Sequence, residues 1–299
     1  MSTAMKNDQQ DYGGSMAAVQ YHYDVSREFY SLWLDESLTY SSALWEGEDD
    51  TLAAAQQRKI DHHLSEARVA RATSLLDIGC GWGALVRKAS AFPALERIVG
   101  LTLSEDQADQ VRGFAIPKIE VRLESWTQHK PDQPYDSIIS VGAFEHFAKP
   151  EDSREVKIST YRDFFSTCSG WLTPGGRLSL QTFVYGTMRN EEASEFINEE
   201  IFPAADLPRL EEIAAAIDGV MEMTYLVNHR LHYARTYDAW ARNLRRRRDD
   251  AVRLVGEEVT ERYERYLKQT SIGFYTGKIG LLRMSLRPTD RGVSVLAKI

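Results

Sequence analysis

Apolar positions recur at helical spacing from Val19 to Leu34 (Val19, Tyr23, Val25, Phe29, Tyr30, Leu32, Trp33), and Asp24, Ser26 and Asp35 punctuate them as caps or breaks. Short aromatic-rich helices are expected there, behind a first dozen residues that carry no such pattern and read as disordered. Thr51 caps a cleaner helix, with Leu52, Ala55, Ile60 and Leu64 on one face. At Ser74 the period changes. Ser74–Ile78 is short, mostly apolar and ends in glycines, and Ala84–Ala91 returns to helical spacing. The alternation then repeats. Arg97–Thr102 reads as a strand, Ser104–Phe114 as a serine-capped helix, and Ile119–Leu123 and Tyr135–Val141 as two more strands. Tyr161–Leu172 reads as a helix stopped by Pro174-Gly175-Gly176, and Arg177–Phe183 as a strand. Strands alternating with helices predict a parallel sheet covered on both faces.

Beyond Val184 the alternation lapses. Glu191–Ile201 and Leu207–Ile217 are expected to be helical, Val220–Val227 a strand, Thr236–Thr270 one long charged helical stretch, and Ile279–Leu286 a last strand. The pattern implies an α/β fold of the doubly wound, Rossmann-like class. Residues 1–65 would form an N-terminal helical cap, 66–185 a cofactor-binding core, and 186–299 a helical, substrate-covering segment interleaved with the last strands. No internal repeat or low-complexity linker separates them.

Composition narrows the class. Hydrophobic residues make up 43% and charged residues 27% of the 299, which excludes fibrous and disordered classes. No apolar run approaches the roughly 20 residues that cross a bilayer. Met1–Gly14 is polar and unlike a signal peptide, so a cytoplasmic protein without integral membrane contact is expected. Only Cys80 and Cys168 occur, too few for a disulfide framework, and no Cys or His cluster has metal-site spacing. A net charge of -8 argues against nucleic acid as partner. The run Arg245-Arg246-Arg247-Arg248, followed by Asp249 and Asp250, reads as a solvated helix face, the competing reading being a clamp for a phosphate or carboxylate.

The candidate chemistry centres on Asp77-Ile78-Gly79-Cys80-Gly81-Trp82-Gly83. Glycines between a strand and a helix let backbone turn tightly and approach a ligand. Alone, the string would serve a dinucleotide, S-adenosylmethionine, or merely a tight turn. Dinucleotide loops usually space the third glycine one residue later and place an acid on the second strand. Here the acid, Asp77, precedes the loop and suits a cationic methionine moiety better than a pyrophosphate.

Five segments, Tyr40-Ser41-Ser42-Ala43, Leu76–Gly83, Val99-Gly100-Leu101-Thr102-Leu103-Ser104, Ser140-Val141-Gly142-Ala143-Phe144-Glu145-His146-Phe147 and His232-Tyr233-Ala234-Arg235-Thr236, resemble in this order the signatures of cyclopropane fatty acid synthases and mycolic acid cyclopropane synthases. Glu200-Ile201-Phe202-Pro203 adds to the likeness, which runs from about Tyr21 to the end. The resemblance implies a class I methyltransferase sheet and S-adenosylmethionine as methyl donor. It implies that Tyr40 and Ser41 meet the methionine end, that Gly79 and Gly81 pass their backbone along the cofactor, that Thr102, Leu103 and Gln107 meet ribose and adenine, and that Trp126 lies beside the adenine. Trp126 as plain core and Gln107 as a solvent-facing helix residue are the competing readings.

The resemblance further implies a bicarbonate ion acting as base beside the transferred methyl, held from five motif positions. Three of these depart from the family pattern: Ser42 stands for cysteine, Gln181 for histidine and Val141 for isoleucine, while Glu145 and Tyr233 remain. Serine and glutamine still donate hydrogen bonds, so bicarbonate binding is weakened rather than lost. With the histidine gone, Glu145 is the candidate base, its carboxyl raised by an apolar pocket, and Tyr233 its hydrogen-bonding partner. Its competing reading is that it only holds a neighbouring loop. Phe183, Tyr185, Phe196, Phe202, Phe274 and Tyr275 would line a lipophilic pocket and stabilise positive charge, or simply be core. The expectation is methyl transfer to a small lipophilic acceptor, most readily at carbon. The alternatives are a cyclopropane synthase on unsaturated acyl chains, or an N- or O-methyltransferase of a specialised metabolite.

Overall fold

The computed structural model describes residues 26–188 and 206–289. The expectations for residues 1–25 and 191–201, and the motif at 200–203 with its Phe202, lie outside the described residues, as does Phe196. Strands β1 (Ser74–Ile78), β2 (Arg97–Thr102), β3 (Ile119–Leu123), β4 (Tyr135–Val141), β5 (Leu172–Tyr185), β6 (Met221–Asn228) and β7 (Ile279–Pro288) form one sheet in the order β3-β2-β1-β4-β5-β7-β6. Pairing is parallel from β3 through β5, and β7 runs antiparallel between β5 and β6. The expected parallel sheet therefore ends in an antiparallel edge. The chain leaves β6 through two long helices that pack on each other and bring it back to the end it left. There Asn228 Oδ1 accepts the Leu281 amide at 3.3 Å, so β7 has to run back along β6.

The helices are α1 (Arg27–Ser31), α2 (Leu52–Glu66), α3 (Ala84–Ala89), α4 (Glu105–Arg112), α5 (Arg154–Trp171), α6 (Leu210–Ile217), α7 (Arg230–Arg246), α8 (Arg248–Val255) and α9 (Glu257–Tyr275). Thr51 caps α2 and Ser104 caps α4, each accepting a first-turn amide. Three expectations are corrected. Helix α5 starts at Arg154 behind the Ser153 cap, not at Tyr161, because its first turns carry only Val156 and Ile158 among polar residues, of which Val156 is exposed. Pro174-Gly175-Gly176 does end the helix, yet it lies inside β5, where the register with β4 shifts. The long stretch Thr236–Thr270 is three helices. The first break falls at Arg247 and the second at Gly256, whose φ of 85° and ψ of 166° only glycine adopts readily.

One face of the sheet is packed by Phe144, Tyr161, Phe164, Phe165 and Leu180, the other by Ile60, Leu64, Val86, Ile98 and Ile139. A third cluster, dense in aromatics, joins α1, α7 and α9 over the glycine loop. It contains Tyr30, Trp33, Trp82, Phe183, Tyr233, Tyr237, Trp240, Tyr266 and Phe274. Among the described residues no helix is long and apolar enough to cross a membrane.

The Gly256 break gives a paired expectation. Gly256→Ala forces a side chain into a positive-φ conformation and should lower stability by about 1–3 kcal/mol. Gly170→Ala, at an exposed helical position with nothing within 4 Å of the added carbon, should raise it by up to about 1 kcal/mol. Thermal unfolding of both variants checks the pair, and a neutral Gly256→Ala would show that α8 and α9 tolerate a different junction.

Candidate active site

The glycine loop is fastened to β2, because the amides of Gly79 and Cys80 both donate to Leu101 O, at 3.0 and 2.9 Å. Gly79 and Gly81 have φ of 80° and 54°. A Cβ on Gly79 would stand 2.8 Å from Ala143 Cβ, whereas one on Gly81 would meet nothing within 4 Å. Gly79 therefore permits close packing, and Gly81 leaves its backbone bare toward open space, as a cofactor cradle requires.

Asp77, ending the strand before the loop, is buried, and burial pushes its carboxyl up to about 7 against the pull of the Lys59 ammonium. Lys59 on α2 is buried too, pushed down to about 7 by burial, and donates to Ser41 Oγ at 2.8 Å. Gln56 Nε2 donates to Ser41 O at 2.8 Å, so α2 holds the Tyr40–Ser42 segment from below. Tyr40 donates its hydroxyl to Tyr266 at 3.0 Å and packs its ring on Trp33 and Trp240.

Thr102, closing β2, donates its hydroxyl to Gln107 Oε1 at 2.7 Å. Both are buried, so Gln107 is not the solvent-facing residue of its competing reading, and Leu103 between them is half-buried. Trp126 packs in the core against Phe147 and Phe164.

Val141 ends β4, and the next amide, Gly142, donates to Gln181 O at 3.0 Å. Glu145 follows in a short 3-10 turn, Phe144–His146. Its carboxylate accepts from Thr182 Oγ1 at 3.0 Å, and burial lifts it to about 7. Tyr233 on α7 is buried against Phe183 and Phe274, with ring centroids at 4.9 and 4.8 Å. Ser42 is fully buried and turns its hydroxyl onto Ala43 O at 3.0 Å. Of the aromatics expected to line a pocket, Phe183 and Phe274 join Tyr233. Tyr185 instead donates to Asp206, and Tyr275 lies half-exposed on the surface, bonded to Asp238. From the arginine run, Arg247 pairs with Asp250 and Arg248 with Glu257 and Glu264, which is the solvated-face reading.

Sequence reasoning missed Lys59, His63 and Arg283. His63 pairs with Ser179 Oγ at 2.9 Å and is held far below its ordinary range by burial and by Arg283. The signal was present: Gln56, Lys59 and His63 run along α2 beside its apolar face, and Arg283 is a lone charge in the apolar strand run that became β7. Among the described residues no group of His, Cys, Asp and Glu is placed to hold a metal ion.

Comparison with known proteins follows the same residues. The mycolic acid cyclopropane synthetase family model matches residues 10–284. Cyclopropane mycolic acid synthase 3 of Mycobacterium tuberculosis is 37% identical over 271 residues, covering 83% of this chain and 89% of that protein. The structure of the cyclopropane synthase MmaA2 from Mycobacterium tuberculosis superposes with a TM-score of 0.82 at 34% identity, covering 95% of this chain and 100% of that one. The mycolic acid cyclopropane synthase CmaA1, complexed with SAH and CTAB, gives a TM-score of 0.82 at 33% identity, covering 93% and 99%.

Burial of Glu145 carries a stability cost that can be measured. Its folded-state value, about 7, lies above the 4.5 of the free group, so the folded chain binds this proton more tightly than the unfolded one. The stability this proton contributes is fully present below about pH 4.5 and lost as pH rises through about 7, amounting to about 3 kcal/mol. Glu145→Gln cannot ionise and can still accept from Thr182. Its melting temperature should exceed the wild type's by roughly 5 °C at pH 8 and converge with it under acidic conditions. A lower melting temperature at pH 8 would make Glu145 a net structural support.

Proposed function

The chain belongs to the mycolic acid cyclopropane synthetase family, and from that premise we propose that it adds a methylene bridge across the double bond of an unsaturated acyl chain. It is an S-adenosylmethionine-dependent methyltransferase of a lipophilic substrate. The expectation of simple C-methylation of a compact acceptor gives way to its alternative, because relatives matching most of the chain are cyclopropane synthases. The observation that carries the reading is the buried Glu145 just beyond β4, bonded to Thr182, whose neighbour Phe183 packs with Tyr233 and Phe274 into an aromatic wall.

When bound, S-adenosylmethionine supplies a methyl group whose transfer to the alkene leaves a carbocation, and loss of a proton from that methyl closes the ring. The bare backbone at Gly81 fits such a ligand. In this reading Tyr40 and Ser41 hold its methionine end, Asp77 and Gly79 its middle, Thr102, Leu103 and Gln107 its ribose and adenine, with Trp126 bordering the adenine. The rings of Phe183, Tyr233 and Phe274 stabilise the cation through their faces. Glu145 takes the proton, since a base near 7 is both ionised and able to accept at neutral pH, and Thr182 orients its carboxylate. Bicarbonate, which the resemblance implies, fits one feature here, the buried Gln181 Nε2 without a protein acceptor. Were it bound, Gln181, Tyr233, Val141 and Ser42 would hold it together with a protonated Glu145, and it would supply the base in place of Glu145. Residues 66–185 are the cofactor core, and the segments before and after them form the cover.

Incubation with the labelled donor and lipids bearing cis-unsaturated chains should yield a product heavier by one CH2, with ring protons in the NMR spectrum and no olefinic signal. A methyl group on nitrogen or oxygen, or a retained double bond, would overturn the reading. The rate should rise with pH to a plateau above about 7, a limb absent from the residual activity of Glu145→Gln.

A further inference from the structure

Gln181 stands on β5 beside Val141 and opposite Arg283 of β7. Arg283 is fully buried, and among the described residues no carboxylate pairs with it. Its Nε donates to Gln181 Oε1 at 2.8 Å, Nη1 meets His229 Nδ1 at 2.7 Å, and Nη2 donates to Ser42 O and Ala43 O at 3.0 and 3.2 Å. A guanidinium has donors only, so the oxygen of the Gln181 amide has to face it. Turning the amide over would set two donors against each other. His63 Nε2, at 3.4 Å, lies on the same oxygen. The remaining group, Gln181 Nε2, is buried and has no acceptor, an arrangement that is costly and calls for an explanation. Strand alternation places Gln181 on the face of Phe183, where Tyr233 packs, and its neighbour Thr182 holds Glu145.

Building on the functional reading above, we propose that Arg283 is a positioning residue for methyl transfer, fixing the Gln181 amide so that its Nε2 hydrogens are presented to an oxygen of the reacting complex. The same guanidinium ties the Ser42 loop and the turn at His229, which leads into the helix of Tyr233. Three segments of the site are thereby held to one cation.

Gln181→Glu tests this, since it keeps an oxygen toward Arg283 and His63, puts an acceptor where the Nε2 donor stood, and adds a charge that Arg283 neutralises. The expected result is a fall in kcat of about tenfold or more, with a melting temperature no lower than wild type, because Arg283 gains a carboxylate partner. Calorimetric affinity for S-adenosylhomocysteine should stay within about twofold. Arg283→Lys keeps the charge, loses the fork and should lower kcat similarly, and the double variant should lose little more than either single one. Wild-type kcat and KM in Gln181→Glu would overturn the inference alone, as would additive losses in the double variant. A wild-type protein that fails to bind S-adenosylhomocysteine would overturn the functional reading and this inference with it.

Discussion

Exclusion of water from the carboxyl ends of β1, β4 and β5 is the constraint on which the rest of this molecule depends. The aromatic cluster of α1, α7 and α9 covers those strand ends, and its phenols are tied together, with Tyr237 and Tyr266 paired at 2.8 Å and Tyr40 donating to Tyr266. Under that cover, burial moves Asp77 and Glu145 up and Lys59 down until all three lie near neutrality. Each ionisation there is costly, and in the proposed reaction the same desolvation would make a weak carboxylate a usable base and strengthen its hold on a cationic ligand.

The parts of this arrangement that obey local rules were legible in the chain. Strand β1, the glycine loop and the serine and threonine caps follow from short-range sterics and hydrogen bonding, and the structure places them where the pattern does. Elements whose limits depend on tertiary contact were not. The first turns of α5 are mostly polar, with Val156 and Ile158 their apolar residues, so the Ser153 cap is the stronger mark of their start. The break at Gly256 hides within a charged run whose helical period continues on both sides. Phe274 and Tyr275 are adjacent in sequence, yet one closes on Tyr233 and the other faces out, a distinction that helical phase alone decides.

The candidate site shows why a motif read position by position misleads. Read alone, glutamine in place of histidine means the loss of a titratable group, with Glu145 left as the base. That inference treated position 181 as independent of every other. In the sheet, Gln181 lies directly across from Arg283, a hundred residues away in sequence and invisible to any local pattern. The pair couples a fixed charge to a neutral amide, so a donor survives without a proton that comes and goes with pH. Ser42 also changes meaning in context, since its backbone oxygen, not its hydroxyl, is what the guanidinium takes.

A buried cation with neutral partners is a weak source of stability, because charge is removed from water and only dipoles replace it. Arg283 is pushed down to about 10 by burial, and it in turn helps hold His63, His229 and His232 below their usual range. With these imidazoles neutral, Arg283 is the fixed positive charge under the site, and Glu145, sharing neither hydrogen bond nor ion pair with it, keeps its raised value. In the proposed reaction base and cation are thus separated by a strand: one would take up a proton while the other keeps the donor geometry constant. Such a division suits a reaction whose intermediate is itself cationic, because the proton acceptor must stay neutral or negative while nothing positive is brought nearer the reacting carbon.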